Sequence, residues 1–258
     1  MPDRPPEGGP APLISIVTAV RNARATVGDT IASVRDQTFR HREHIVVDGA
    51  STDGTLDIIR AHGAALAGWS SEPDAGIADA MNKGLARARG RYVLFLHADD
   101  YLTDPDALAR AAPALASGAD IYAFDILFEG AAGTVRRRPR GRSWRLMFKT
   151  QFWHQGTLCR RDLFERIGGF DRRYAIAMDY EFFLRAVRLG ASVERVPEVL
   201  AVMRDTGISS RRDWPTLRRR FAEERAIHRQ HCPGPAMALA YRAYWALYWP
   251  YRRVRAAR

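Results

Sequence analysis

Asp99 and Asp100 close the run 93-VLFLHADD-100, in which four apolar residues lead into a histidine, an alanine and two adjacent carboxylates. A buried strand that ends in paired acids must satisfy them. Adjacent carboxylates at a strand end offer the hard oxygen ligands that Mg2+ or Mn2+ prefers, usually shared with substrate phosphates. An ion held there would neutralise a departing diphosphate. The same pair also suits helix capping or a solvated turn, and its own residues do not choose. Asp48 ends another apolar run, 44-HIVVD-48, and is followed by the turn-forming GASTDG. A carboxylate there can accept hydrogen bonds from a base imide or a ribose hydroxyl; alternatively the stretch is a helix entry capped by Asp53 or Thr55. Asp179 heads 179-DYEFFLRAVRLG-190, where an acid can take a proton or complement the helix dipole.

The elements that must position these acids alternate over the first hundred residues. Residues 13-LISIVTAV-20 read as a buried strand, and 26–37 as a helix with Thr26 as N-cap and Val27, Ile31 and Val34 on one face. Strand 44–48, a helix over 55–63 closing on glycine, and strand 66–70 follow. Residues 76-GIADAMNKGLARARG-90 read as a helix with an apolar stripe that stops at Gly90, before strand 91–96. Strands alternating with helices of this length predict an α/β fold with a parallel sheet and right-handed crossovers. Ligands of such sheets bind beyond the carboxyl ends of the strands, where Asn22, Asp48, Asp74 and Asp99 all fall.

The second half is expected to hold a helix near 105–116, a hairpin of 119–130 with 133–139, and a short helix between two loops within 152–171. A helix over 179–190 with Phe182, Phe183, Ala186 and Leu189 inward comes next, then strands near 192–196 and 198–204 and a helix near 213–231. The tail 235–258 carries Tyr241, Tyr244, Trp245, Tyr248 and Trp249 at helical spacing and ends in arginines. An aromatic, basic, amphipathic helix suits the headgroup layer of a membrane, and packing on its own domain is the alternative.

With 47% apolar and 27% charged residues the chain is an ordinary globule, which excludes wholesale disorder. A formal charge of +11 makes phosphate-bearing partners plausible without choosing among them. Cys159 and Cys232 are far apart and read as reduced thiols of a cytosolic protein. The Pro/Gly-rich start has no secretory h-region, and no uncharged run approaches the ~18 residues of a membrane span.

Taken together, SIVTAVRNA, VVDGASTDGT, SEPDAGIADAMNKGLARARGRYVLFLHADD and HQGTLCRRDLFERIGGFD…MDYEFFLR resemble, in order and spacing, the family-2 glycosyltransferases of the GT-A fold. The resemblance covers roughly residues 13–205. It implies a Rossmann-like, mostly parallel central sheet flanked by helices, and the residue pattern beyond it adds a C-terminal helical, amphipathic extension. The expected organisation is a disordered segment over 1–12, from its Pro/Gly-rich composition, and a domain over 13–210, its nucleotide-sugar half about 13–102 and its acceptor half about 103–210. Residues 211–258 are expected to form the extension. The implied reaction is an inverting, metal-assisted transfer from a nucleoside-diphosphate sugar (UDP, dTDP or GDP) to a hydroxyl of a lipid-linked or polysaccharide acceptor.

By position, the resemblance places Thr18, Val20 and Asn22 in the nucleotide pocket and Asp48 at the base. Asp74, Asn82 and Lys83 flank sugar and diphosphate. Asp99 faces ribose and metal, Asp100 faces the metal (Mn2+ or Mg2+), and Asp179 is the base, with Glu181 supporting it. His154 and Gln155 contact diphosphate or acceptor, and Trp153 stacks on a sugar or packs in the core. Three positions depart from the family pattern: Gly49 where a second acid is common, Met178 where Glu is common, and His97 where Asn or Asp is common. The expected location is cytoplasmic, peripheral on the inner face of the membrane, with the arginine-rich 136–149 and the tail as contacts. A non-catalytic basic protein is the rival reading, but acids at strand ends would repel a phosphate backbone, so no nucleic-acid partner is expected. A sugar-nucleotide pyrophosphorylase is disfavoured because TAVRNARAT lacks a glycine-rich phosphate loop.

Overall fold

The computed structural model describes residues 11–140, 144–207 and 213–256; residues 1–10 of the segment expected to be disordered over 1–12, and Arg142 of the basic loop, lie outside them. The first half runs β1 (Ile14–Val20), α1 (Val27–Arg35), β2 (Arg42–Asp48), α2 (Thr55–Ala61), β3 (Gly68–Ser71), α3 (Ile77–Leu85) and β4 (Tyr92–Phe95). All pairings among these strands are parallel, in the order β3-β2-β1-β4. Residues along each strand alternate between two buried faces. Ile14, Ile16, Tyr92 and Leu94 pack on the α1 side, and Val17, Ala19, Val93 and Phe95 on the α3 side. The strand order reverses between β1 and β4, which opens a crevice at their carboxyl ends.

The second half comprises β5 (Tyr101–Leu102), α4 (Ala107–Ala111), β6 (Ile121–Gly130), β7 (Gly133–Arg137), β8 (Thr157–Arg160), α5 (Arg161–Ile167), α6 (Met178–Arg188), β9 (Val193–Arg204), α7 (Trp214–Gln230) and α8 (Pro235–Ala256). The sheet continues β4-β8-β6-β9-β5, with β7 paired to β6. β8 runs antiparallel to both β4 and β6, so the parallel unit passes into a mixed one. β5, directly after the acid pair, pairs with the far end of β9. The sheet therefore curls until its last strand reaches the end of β4.

Several expectations are corrected. The segment expected as a loop around 157–160 is β8. The two strands expected over 192–204 are one, interrupted against β6 by register shifts at Asp125, where Pro197 has no N–H to give a ladder. The helix expected over 105–116 is α4 followed by a 3₁₀ turn, because Pro113 cannot continue an α-helical ladder. α3 ends at Leu85 rather than Gly90. Leu189 lies past the end of α6 and is exposed rather than inward. Thr26 stands at the N-cap of α1 without a capping side-chain bond.

Asp213 caps α7 by accepting from the Thr216 N–H at 2.9 Å. The aromatic stripe of α8 turns inward: Tyr241 and Trp245 are buried, with Trp245 packed on Phe221 of α7. The packing alternative therefore accounts for these aromatics. Among the described residues no helix is long and apolar enough to cross a membrane.

Candidate active site

At the reversal point lies a cleft of about 1030 Å³. Its walls are the turn after β1, the start of α3, the His97–Asp100 turn, His154 and Gln155, the entry of α6, and the end of β9. Each wall has a local cause. The acid turn is braced from below by the face of α1 and the turn after it. Thr30 Oγ1 donates to the Asp100 carbonyl (2.7 Å), Ser33 Oγ accepts from Leu102 N, and the Gln37 amide bonds Asp104 O and Leu108 N. The His154 turn lies against β6 because residue 156 is glycine: a Cβ there would fall 2.4 Å from Ile126 Cγ2 and 3.0 Å from Phe124 O.

The entry of α6 is held from outside the sheet. Glu223 of α7 accepts the N–H groups of Ala175, Ile176 and Ala177 at 3.1, 2.8 and 2.9 Å. Those donors sit just before the helix that begins with Met178 and Asp179. A carboxylate taking several N–H groups at a helix start satisfies donors that have no intrahelical partner.

Asp100 is 1% exposed, and its Oδ2 has no hydrogen-bond partner. Burial, and then the neighbouring Asp99, push its carboxyl well above the usual carboxylate range. Asp99 Oδ2 accepts from Thr206 Oγ1 at 2.6 Å, across the cleft mouth. His97 and His154 meet at 4.3 Å between ring centroids. Burial, and then His154, hold His97 well below the usual imidazole range, so it is neutral. Both His97 nitrogens, His154 Nε2 and Gln155 Oε1 are also without partners. An unpaired buried polar atom costs about 1–3 kcal/mol, and five of them lie together in this corner of the cleft. His154 Nδ1 lies 3.7 Å from Asp179 Oδ2.

Of the residues singled out from the sequence, Val20, Asn22, Asp74, Asp99, Asp100, His154, Gln155 and Asp179 line this cleft. Thr18, Asp48, Asn82, Lys83 and Trp153 do not. Thr18 is buried with its hydroxyl 2.9 Å from His44 Nε2. Asp48 is filled by serines, accepting from Ser51 N and Oγ and from Ser71 Oγ. Ser51 Oγ in turn accepts the Asn22 N–H at 2.7 Å, and Asn22 Oδ1 accepts from Thr52 N. Asn22 sits at φ 52°, a left-handed conformation that Asn tolerates.

Asn82 clamps the chain before α6, its amide donating to Phe170 O and accepting from Phe170 N. Lys83 pairs with Glu72 at 2.9 Å and with Pro73 O. Trp153 supplies the carbonyl that Thr157 Oγ1 bonds. Glu181 is buried and tied to Arg185 and His231. Gly49 is explained by Asp74, whose Oδ2 lies 2.2 Å from where a Cβ at 49 would stand.

The cleft also contains residues that sequence reasoning passed over: Arg21, Arg24, Arg204 and Thr206. Arg204 is oriented by Asp29 at 2.8 Å and stands over the Tyr101 ring. The run RNAR after β1 was the available signal for the first two. For Arg204 and Thr206 there was none, because β9 reaches the cleft only through the curl of the sheet. Among the described residues no set of three His, Cys, Asp or Glu side chains could hold a metal ion alone.

The sequence profile of glycosyl transferase family 2 matches residues 15–175. The chain is 36% identical over 210 residues to an uncharacterized glycosyltransferase of Mycobacterium tuberculosis, covering 79% of each. It is 34% identical over 200 residues to a PGL/p-HBAD biosynthesis glycosyltransferase of Mycobacterium bovis, covering 74% of this chain and 75% of that one. The fold matches the mannosyltransferase PcManGT from Pyrobaculum calidifontis, solved with GDP-Man and Mn2+, with a TM-score of 0.68 at 23% identity. That match covers all of this chain and 75% of the other. With a profile match over more than half its length and relatives above 30% identity, the chain belongs to glycosyl transferase family 2 and is a glycosyltransferase of the GT-A fold.

Proposed function

We propose that this enzyme moves a sugar from a nucleoside-diphosphate sugar to a hydroxyl of a lipid-linked or polysaccharide acceptor at a membrane surface, with inversion and in one displacement. The observation that carries the reading is the presence in one cleft of Asp100, whose Oδ2 has no partner, and Asp179. The family relationship and the complexed mannosyltransferase support the donor class; UDP, dTDP and GDP all remain in the donor set.

The residues fit a divalent cation, Mn2+ or Mg2+. A buried carboxylate oxygen with no partner, beside a second acid, is an electrostatic vacancy of the right sign and hardness. Asp99 and Asp100 would hold the ion, and the donor diphosphate would complete its ligands. When bound, the ion supplies positive charge to the departing diphosphate.

The protein's own side chains do the rest. Arg21, Arg24 and Arg204 face the phosphates, and Val20, Asn22 and Asp74 form the wall for nucleoside and sugar. Asp48 acts through Ser51 and Asn22, and Thr18, Asn82 and Lys83 hold the frame of that wall. Asp179 takes the proton of the acceptor hydroxyl as its oxygen bonds the anomeric carbon and the carbon–oxygen bond to the diphosphate breaks. His154, next to Asp179, orients the carboxylate and faces the leaving group with its other nitrogen. Trp153 fixes the turn that carries it.

The test is release of nucleoside diphosphate from a panel of sugar nucleotides with Mn2+, read for the intact chain and for Asp179→Asn. Loss of transfer in the variant with donor binding retained supports the reading. Turnover that survives the substitution removes Asp179 as the base.

A further inference from the structure

α7 and α8 enclose a second groove, of about 820 Å³, away from the catalytic cleft. Its floor is aromatic: His228 stacks on Tyr241 at 4.2 Å and 7°, beside Trp245 and Trp249. Its rim carries Arg225, Arg229 and Arg242, all exposed, with no carboxylate in the lining. Many arginines of this fold pair with an acid within 4 Å, such as Arg110 with Asp104 and Arg166 with Asp120. Among the described residues these three have none. They leave a concave, cation-rimmed, apolar-floored site without an internal counter-charge.

The outer face of α8 supplies a second observation. Leu239, Leu247, Tyr251 and Val254 are exposed, Leu247 by 76%, and their spacing puts them on one side of the helix. They are four of the seven large apolar side chains that stand exposed among the described residues. A fifth, Trp144, joins the same region through Phe148, which packs on Tyr244. Cations beside an apolar stripe match a ligand with an anionic head and a hydrocarbon body. A nucleic-acid backbone would meet the arginines and leave the leucines and valine wet.

We propose that the α7–α8 groove takes the phosphate headgroup of an anionic phospholipid, while the outer face of α8 lies in the bilayer interface beside it. This rests on the reading of a transferase working at a membrane surface; the packed aromatic stripe supplies the groove floor, and the opposite side of the helix supplies the face that meets the bilayer.

The experiment is co-sedimentation of the full chain with vesicles of phosphatidylcholine alone or mixed with phosphatidylglycerol. Binding only to the anionic vesicles is expected, weakened about fivefold by each of Arg225→Ser, Arg229→Ser and Arg242→Ser and about a hundredfold by all three. Brominated phosphatidylglycerol should quench tryptophan fluorescence, and Trp249→Phe should remove much of that quenching. Leu247→Ser with Val254→Ser, on the outer face, should weaken binding even if the groove is intact. Equal binding to neutral vesicles, or binding indifferent to the triple substitution, overturns the proposal. So does vesicle binding no stronger than competition by inorganic phosphate alone, or arginine-dependent binding to an RNA oligomer without binding to vesicles. Thermal stability and nucleoside-diphosphate release, measured on the same variants, report folding and the cleft. Loss of vesicle binding with release intact separates a failure of the groove from a failure of the catalytic reading.

Discussion

The Asp74 carboxylate occupies the space that a side chain at Gly49 would need, with Oδ2 2.2 Å from an ideal Cβ. The contact is with the mobile end of a side chain, so a larger residue at 49 displaces Asp74 rather than the backbone. Gly49→Ala is expected to leave the melting temperature nearly unchanged and to weaken donor binding about tenfold, ~1.4 kcal/mol. Gly49→Asp adds like-charge repulsion and should cost more. Titration calorimetry with the donor measures both, and unchanged affinity would remove Asp74 from the donor wall.

Asp100 is buried at a cost that the proposed cation would offset. Asp100→Asn keeps the shape, removes a carboxyl whose charge is disfavoured by burial and then by Asp99, and should raise cation-free stability by about 0.5–2 kcal/mol. The same change should abolish the Mn2+ dependence of donor binding. A destabilised Asp100→Asn protein would show that neighbouring groups already satisfy the native carboxylate.

Glu223 gathers three N–H groups ahead of Asp179. Glu223→Ala leaves donors of the largely buried Ile176 and Ala177 unpaired and should cost on the order of 1–3 kcal/mol. Because donor-binding groups are untouched, kcat should fall while donor KM stays within about twofold. A KM effect with kcat intact would place the loop in donor binding instead.

His228 is buried between the two C-terminal helices, its Nδ1 accepting from Trp245 Nε1 and its Nε2 2.9 Å from the Tyr180 hydroxyl. Burial lowers its pKa from 6.5 to about 4. The folded state thus binds fewer protons than the unfolded chain between those values, and stability falls as pH drops through that window. The loss from this group is of the order of a few kcal/mol. His44, buried and lowered to about 3, adds in the same direction. Melting temperature measured from pH 7 to pH 4 should decline steeply in the native chain and more gently in His228→Gln. An identical slope would assign the acid sensitivity elsewhere.

The parallel half was legible because its signals are local. Ile14–Val20 and Tyr92–Phe95 are largely apolar runs buried on both faces, as is Ile45–Val47 within Arg42–Asp48, and the helices between them carry a 3.6-residue stripe. β8 was not legible, because Thr-Leu-Cys-Arg has no pattern of its own and becomes a strand only between β4 and β6. Asp99, Asp100 and Asp179 stood out as acids at a strand end and a helix start. Asp48 did too, yet its carboxylate is turned to Ser51 and Ser71, which no spacing rule anticipates. The Tyr241–Trp249 stripe has the same period whether it meets lipid or protein, and only Phe221 and Phe148 decide between them.

The brace from Glu223 to the α6 entry also sets an order in time. Glu223 follows α6 in the chain, so the loop before Asp179 receives this support only once α7 has been made. A chain that stops short of Glu223 carries Asp99 and Asp100 but leaves the Ala175, Ile176 and Ala177 N–H groups without that partner.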